Sequence, residues 1–115
     1  MALDFGKRLI RFPGRGFVEE KSDHEYVRHT YFKTQVTGRI PLVEGIWLMV
    51  DDDMYNSYKN QFNFTCKKTD GEEIQIYGPA IFYTDSGLTE ESIQKILHTF
   101  DDYENYLDAS KLKSE

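Results

Sequence analysis

A chain of 115 residues with 30% charged side chains and a net charge of −6 has the length of one domain, residues 1–115, and can bury about two-thirds of its unfolded surface. Its 29 Leu, Ile, Val and Phe residues exclude a disordered chain. The single cysteine, Cys66, excludes an intrachain disulfide and a cysteine-rich zinc site, and the acidic balance argues against direct contact with nucleic-acid phosphates.

The chain begins at its own Met1 without an apolar stretch of signal-peptide length. Its longest apolar run, residues 46–50, is too short to span a bilayer. The expectation is a complete, cytoplasmic protein with no membrane contact. Charge is uneven along the chain: the first 39 residues hold eight Lys and Arg against five Asp and Glu, and the remainder is acidic.

In chain order, residues 7–12 read as a short strand, with a short N-terminal helix over residues 2–11 as the competing reading. Pro13 and Gly14 suit a type II turn, because proline presets φ and glycine accepts a positive φ next to it. Residues 17–20 return as the partner strand. Residues 24–36 are rich in Tyr, Val, Thr and Phe and read as a long strand, broken over residues 37–41. Residues 45–50 form a strand apolar on both faces, ended by Asp51, Asp52 and Asp53. Residues 54–60 form a loop or one helical turn.

The clearest hairpin follows. Phe62, Phe64 and Cys66 alternate with polar residues, as do Ile74 and Ile76. A two-residue turn at Asp70-Gly71 would place these apolar sets on opposite faces. A three-residue loop of Thr69, Asp70 and Gly71 instead pairs Cys66 with Ile74, Phe64 with Ile76, Lys67 with Glu73 and Lys68 with Glu72. Gly71 then supplies the left-handed residue, and Cys66 faces the core. Residues 80–83 add a short strand after Pro79.

Thr89 is a good N-cap for a helix over residues 90–110. Glu90 and Glu91 favour its positive end, and Leu88 and Ile93 form a hydrophobic staple. Its apolar stripe runs Ile93, Ile96, Leu97, Phe100, Tyr103 and Leu107, with Lys111 and Lys113 at the negative end. The expected fold class is therefore α+β: a mostly antiparallel sheet of five or six strands with one long C-terminal helix packed on it.

Several constellations invite a chemical reading. Asp51, Asp52 and Asp53 are hard oxygen ligands suited to a divalent cation, yet adjacent strand residues point to opposite faces, and a solvated strand end is the plainer account. His24 and His29 lie five apart, where a zinc-protease motif needs four on a helix. On the strand expected here they would face opposite sides. His98 falls on the polar side of the C-terminal helix, and an inward Cys66 is structural rather than nucleophilic. Lys7, Arg8, Arg11 and Arg15 surround the first turn as a small basic patch able to hold an anion, though no glycine-rich nucleotide fingerprint accompanies them. No cofactor or catalytic motif is expected.

The remaining feature is acidic. It comprises Asp51, Asp52 and Asp53; the hairpin tip with Asp70, Glu72 and Glu73; and the helix, where Asp101, Glu104 and Asp108 fall at helical spacing beside Asp102. With Tyr106 or Tyr55 as aromatic anchors, such a surface suits a basic groove on another protein. The expected function is a small non-enzymatic binding module that occludes a basic, nucleic-acid-gripping surface of a partner protein. Inhibitors carried by phages or other mobile elements, and immunity proteins, have this profile. One alternative is a metal-dependent enzyme using Asp51, Asp52 and Asp53, with His29 or Glu73 as base. A second is an assembly subunit pairing through a sheet edge.

Overall fold

The structure, a computed structural model, describes residues 7–14, 16–21, 24–34, 36–43, 45–102 and 105–112. Its elements in chain order are β1 (Arg8–Phe12), β2 (Gly16–Glu20), α1 (His24–Tyr31), β3 (Thr37–Pro41), β4 (Trp47–Asp51), α2 (Met54–Ser57), β5 (Phe62–Lys67), β6 (Glu73–Tyr77), β7 (Ala80–Tyr83), α3 (Glu90–Asp102) and β8 (Tyr106–Asp108), closed by a 3₁₀ turn at Ala109–Leu112.

The α+β class is as the sequence implies, but the strands form two sheets rather than one. Five antiparallel strands are ordered β2-β1-β7-β4-β3, and three are ordered β6-β5-β8 with β8 parallel to β5. In the larger sheet, period-2 alternation splits each central strand between two cores. Leu9, Leu48, Val50, Ala80 and Phe82 face the main core with α3 and the small sheet. Ile10, Met49, Ile81 and Tyr83 face a smaller core on the other side. The doubly apolar reading of residues 45–50 holds for this reason.

That second face explains the largest departure from the sequence reading. The strand expected over residues 24–36 is replaced by a helix: α1 occupies His24–Tyr31, and residues 32–34 and 36 lie in no strand. Val27 and Tyr31 lie one helical turn apart and, with Phe32, pack onto Ile10, Met49 and Ile81. Burying that sheet face outweighs the strand propensity of the segment. The strand forms instead over Thr37–Pro41, where a break was expected. Gly38 and Pro41 are tolerated because β3 lies at the sheet's edge.

The first hairpin matches the reading. Phe12 pairs with Gly16, and Gly14 takes φ 69°, a conformation that favours glycine. The second hairpin has the register derived above: Cys66 opposite Ile74, Phe64 opposite Ile76, Lys67 opposite Glu73. Gly71 has φ 94°, and Cys66 is fully buried. One position departs. The ladder shifts between Phe62 and Phe64, so Asn63 and Phe64 both turn inward while Phe62 stays 40% exposed. The Asn63 amide donates to the carbonyls of Arg11 (2.8 Å) and Gly78 (2.7 Å), tying the small sheet to the large one.

The C-terminal helix starts as read. Thr89 Oγ1 accepts the Ser92 N–H at 3.0 Å, and Leu88 and Ile93 are both buried. It ends earlier, at Asp102. Leu107 is in β8, opposite Cys66; its seven-residue distance from Phe100 satisfies a helix and this strand alike. Lys111 therefore lies in the 3₁₀ turn, not at the helix end, and Tyr103 and Lys113 fall outside the described residues. No helix among the described residues is long and apolar enough to cross a membrane.

Candidate functional site

The three consecutive aspartates have three different fates. Asp51 is fully covered at the end of β4, where its side chain closes the connection from α1 to β3. Oδ2 accepts the N–H groups of Lys33 (3.0 Å) and Thr34 (3.1 Å). Oδ1 accepts the Asp53 N–H at 3.0 Å and the Thr34 hydroxyl. Burial pushes this carboxyl up, but the Thr34 hydroxyl and the N–H groups of Asp53, Thr34 and Lys33 outweigh it and hold its pKa below the ordinary value. Asp53 stands at the N-cap position of α2, where its side chain makes no bond to the helix backbone and accepts instead from Asn56 Nδ2 (2.9 Å) and Ser57 Oγ (3.2 Å). Asp52 is exposed.

Asp51 is thus corrected from a surface residue to a structural one, and the trio does not converge. Among the described residues no three His, Cys, Asp or Glu side chains cluster closely enough to hold a metal ion. His29 is exposed on α1. Its five-residue spacing from His24, whose side chain lies outside the described part, corresponds on a helix to different faces. His98 is exposed, as read. The buried Cys66 thiol is pushed up to about 12, first by burial, which disfavours thiolate chemistry.

Among the described residues the basic patch does not form. Arg8 and Arg11 are buried on opposite faces of β1, Arg15 lies outside the described residues, and Lys7 pairs with Glu90 at 2.8 Å. Arg11 lies over three rings of the main core: Phe100 at 4.2 Å, Phe17 at 5.3 Å and Phe64 at 5.8 Å from guanidinium carbon to centroid. Its Nη2 donates to Asn105 Oδ1 at 2.9 Å.

The acidic row expected on one helix face is not formed. Asp101 is exposed on α3, and Asp108 belongs to β8. Glu104 and the Asp102 side chain lie outside the described residues. What replaces the row is the outward face of the small sheet. Cys66, Ile76 and Leu107 point inward and are fully buried, so their neighbours point to solvent. Register aligns Glu73, Lys67 and Asp108 across the three strands, and Gln75, Thr65 and Tyr106 one step along. The Tyr106 hydroxyl donates to Glu73 Oε2 at 2.7 Å; this bond comes first among the causes that raise the Tyr106 pKa to about 12. Asp108 accepts from the Ser110 hydroxyl (2.7 Å) and N–H (3.0 Å). At the hairpin tip Asp70 accepts the Glu72 N–H at 2.9 Å, and Lys68 bridges Glu72 (3.1 Å) and Asp70 (3.8 Å).

At the other end of the same ribbon stand two aromatic residues, Phe62 exposed and Tyr77 half-buried against the main core. Phe62 pairs with Tyr77, their centroids 5.6 Å apart, and Tyr55 of α2 meets Tyr77 edge-on at 5.5 Å. The Tyr55 hydroxyl donates to the Gln75 carbonyl of edge strand β6 at 3.0 Å. Tyr55 is 55% exposed. Beyond Phe62 opens a cleft of about 450 Å³ lined by Phe12, Pro13, Tyr58, Asn60, Gln61, Phe62 and Pro79, none of them charged. Phe62 and Tyr77 were not singled out from the sequence as binding residues. Simple alternation assigns Phe62 to the core, and only the bulge at Asn63 sends it outward.

No family model matches the chain, and comparison with curated proteins and with solved structures found no match.

Proposed function

We propose that this protein is a small binding module that docks through the outward face of β5, β6 and β8 onto a basic surface of a partner protein and occludes it. The observation that carries this reading is the two-ended face itself: Tyr55, Tyr77 and Phe62 gathered at one end, and Asp70, Glu72, Glu73 and Asp108 at the other. Protein interfaces concentrate their energy in aromatic anchors, while surrounding charges steer encounter and reject wrong partners. A partner surface that normally grips nucleic-acid phosphates carries the Lys and Arg complementary to these carboxylates. The metal-enzyme alternative loses support from Asp51, whose oxygens are committed to four donors.

The test is capture of the partner from native lysate at low and high salt with three proteins: wild type, Tyr55→Ala, and Glu72→Ala/Glu73→Ala. A stoichiometric basic protein is expected to be retained by the wild type and released as salt rises, to be lost with Tyr55→Ala, and to be retained less and with a weaker salt dependence by Glu72→Ala/Glu73→Ala. Adding the wild-type module is expected to displace nucleic acid from that partner in competition. A partner retained equally by all three proteins, or one whose nucleic-acid binding is unaffected, would refute the proposal.

A further inference from the structure

We infer that the free edge of β6 is a strand-addition site, which takes an extended basic segment of the partner as a fourth strand of the small sheet. The inference rests on the proposed binding function and identifies the segment that the partner would supply.

β6 is an outer strand, and its pairing with β5 fixes where its backbone groups point. The Lys68 N–H donates to the Glu72 carbonyl and the Gly78 N–H to the Gln61 carbonyl, while Ile74 and Ile76 stand opposite Cys66 and Phe64. Bonding toward β5 therefore falls to residues 72, 74, 76 and 78. In an antiparallel ladder the residues between them turn their N–H and C=O groups the other way. Those residues are Glu73, Gln75 and Tyr77. The Gln75 carbonyl accordingly accepts the Tyr55 hydroxyl from outside the sheet, at 3.0 Å. That bond closes the Tyr77 end of the edge. The Gln75 N–H and both backbone groups of Glu73 belong to exposed residues and have no hydrogen-bond partner among the described residues.

The side chains along this edge say which strand fits. On the outward side stands Glu73, next to Glu72 and the hairpin tip with Asp70; a Lys or Arg opposite Glu73 makes a cross-strand pair of opposite charge. On the inward side Ile74 is only half-buried against the main core, so an apolar residue one step along the added strand completes its cover. The fitting segment thus alternates basic and apolar residues. Main-chain bonds supply the attachment in such an addition and alternate side chains the selection. The other edges suit it less. β3 ends in Pro41, which has no N–H, and β8 has three residues. In β2, Glu19 faces Lys7 at 3.6 Å and Glu20 accepts the Tyr31 hydroxyl at 2.8 Å. An added strand at β6 also widens the outward sheet face on its acidic side, so one continuous footprint serves both contacts.

The test uses the full-length, nitrogen-15-labelled protein and three capped peptides of equal charge: acetyl-Lys-Val-Lys-Val-Lys-amide, the same peptide N-methylated at its lysines, and the same peptide N-methylated at its valines. In an antiparallel addition the lysine opposite Glu73 turns its N–H to β6, and the valines turn theirs away. The unmethylated peptide is expected to shift the Glu73 and Gln75 amides saturably and to slow their hydrogen exchange. Methylated lysines are expected to weaken it about tenfold, and methylated valines to leave it nearly unchanged. Gln75→Pro removes an edge-facing N–H that β5 does not use and is expected to abolish the slowed exchange at Glu73. Glu73→Lys, which leaves the backbone intact, is expected to weaken the peptide about fivefold. Equal binding of the three peptides, or no saturable shift, would overturn the strand site. Shifts centred on Val18 and Glu19 of β2 would overturn it too. So would Glu73 and Gln75 amides that become protected without peptide as protein concentration rises, which would assign the edge to a second copy. None of these results touches the sheet-face proposal, since partner capture judges that proposal separately.

Discussion

Replacing Asp51 with alanine removes the acceptor for four donors at once: the N–H groups of Lys33, Thr34 and Asp53 and the Thr34 hydroxyl. A hydrogen bond to a charged acceptor contributes about 1.5–3 kcal/mol net, and a buried donor left without a partner costs a comparable amount. The full set is not lost additively, because the Lys33 N–H keeps a second acceptor in the Tyr58 hydroxyl at 2.8 Å and Asp53 is an exposed residue. Asp51 itself, though covered, is shallow. We therefore expect Asp51→Ala to lower stability by about 3 kcal/mol, equivalent to a fall in Tm of roughly 12 °C for a domain of this size. Asp51→Asn should cost nearly as much, since its amide hydrogens would meet N–H groups. The assay is urea unfolding followed by circular dichroism, with the slope checked so that a change in midpoint reports stability. A loss below about 1 kcal/mol at unchanged slope would refute the view that this carboxylate locks the α1–β3 connection.

Other expectations follow from particular contacts. A Cβ on Gly78 would lie 2.6–2.8 Å from three atoms of the Tyr58 ring at φ 75°, whereas one on Gly14, at φ 69°, would meet nothing. Gly78→Ala should therefore cost about 3 kcal/mol and Gly14→Ala only about 1 kcal/mol, by thermal unfolding of the pair. Because the folded Asp51 carboxyl titrates below its unfolded value, its stabilisation is complete above about pH 4 and is lost as pH falls through the folded pKa. Urea midpoints measured from about pH 5 downward should fall in the wild type and flatten in Asp51→Asn. Cys66, buried and raised to about 12, should resist a thiol reagent at pH 8 in the native protein. It should react in urea at a rate that tracks global unfolding.

Much of this fold is legible in the sequence where one physical constraint has one solution. The β5–β6 register follows because only a three-residue loop puts Phe64, Cys66, Ile74 and Ile76 on one face and also pairs Lys67 with Glu73. The start of α3 follows from Thr89 and its staple. Elsewhere, local signals and tertiary demands diverge. Residues 24–31 carry strand-forming side chains, but the sheet they would join needs its second face covered, and a helix covers it. Leu107 continues a helical spacing by coincidence, because a parallel strand ending beside Cys66 requires the same residue. Asp51, Asp52 and Asp53 look alike in sequence; their positions at the end of β4 and the start of α2 make one a buried hub, one an acceptor for the α2 side chains of Asn56 and Ser57, and one a solvated carboxylate. The aromatic end of the candidate surface was hidden by one extra residue, Asn63, which reverses the direction of Phe62.

That reversal bears directly on function. Tyr77 is half-buried against the main core, but the exposed ring of Phe62 lies on an outer face where water ordinarily selects polar side chains. Fixing Phe62 outward requires a bulge that takes Asn63 out of the ladder and buries its polar side chain. Asn63 offsets that cost by donating to Arg11 and Gly78, so the bulge is built into the joint between the two sheets rather than added at its margin. The position of Phe62 is thus held by the same contacts that hold the fold. Tyr77 meets it edge-to-face, Tyr55 meets Tyr77 in the same way, and Tyr55 is tethered to the β6 backbone. Side chains ordered before a partner arrives lose little conformational entropy on binding, which is the property an aromatic anchor needs and a solubilising surface does not. The charged end differs: Glu72, Glu73 and Asp108 each have a neighbour within the protein, which limits their contribution to affinity and suits them to steering and selection. Affinity should therefore respond most to Tyr55, Tyr77 and Phe62, and salt dependence most to the carboxylates.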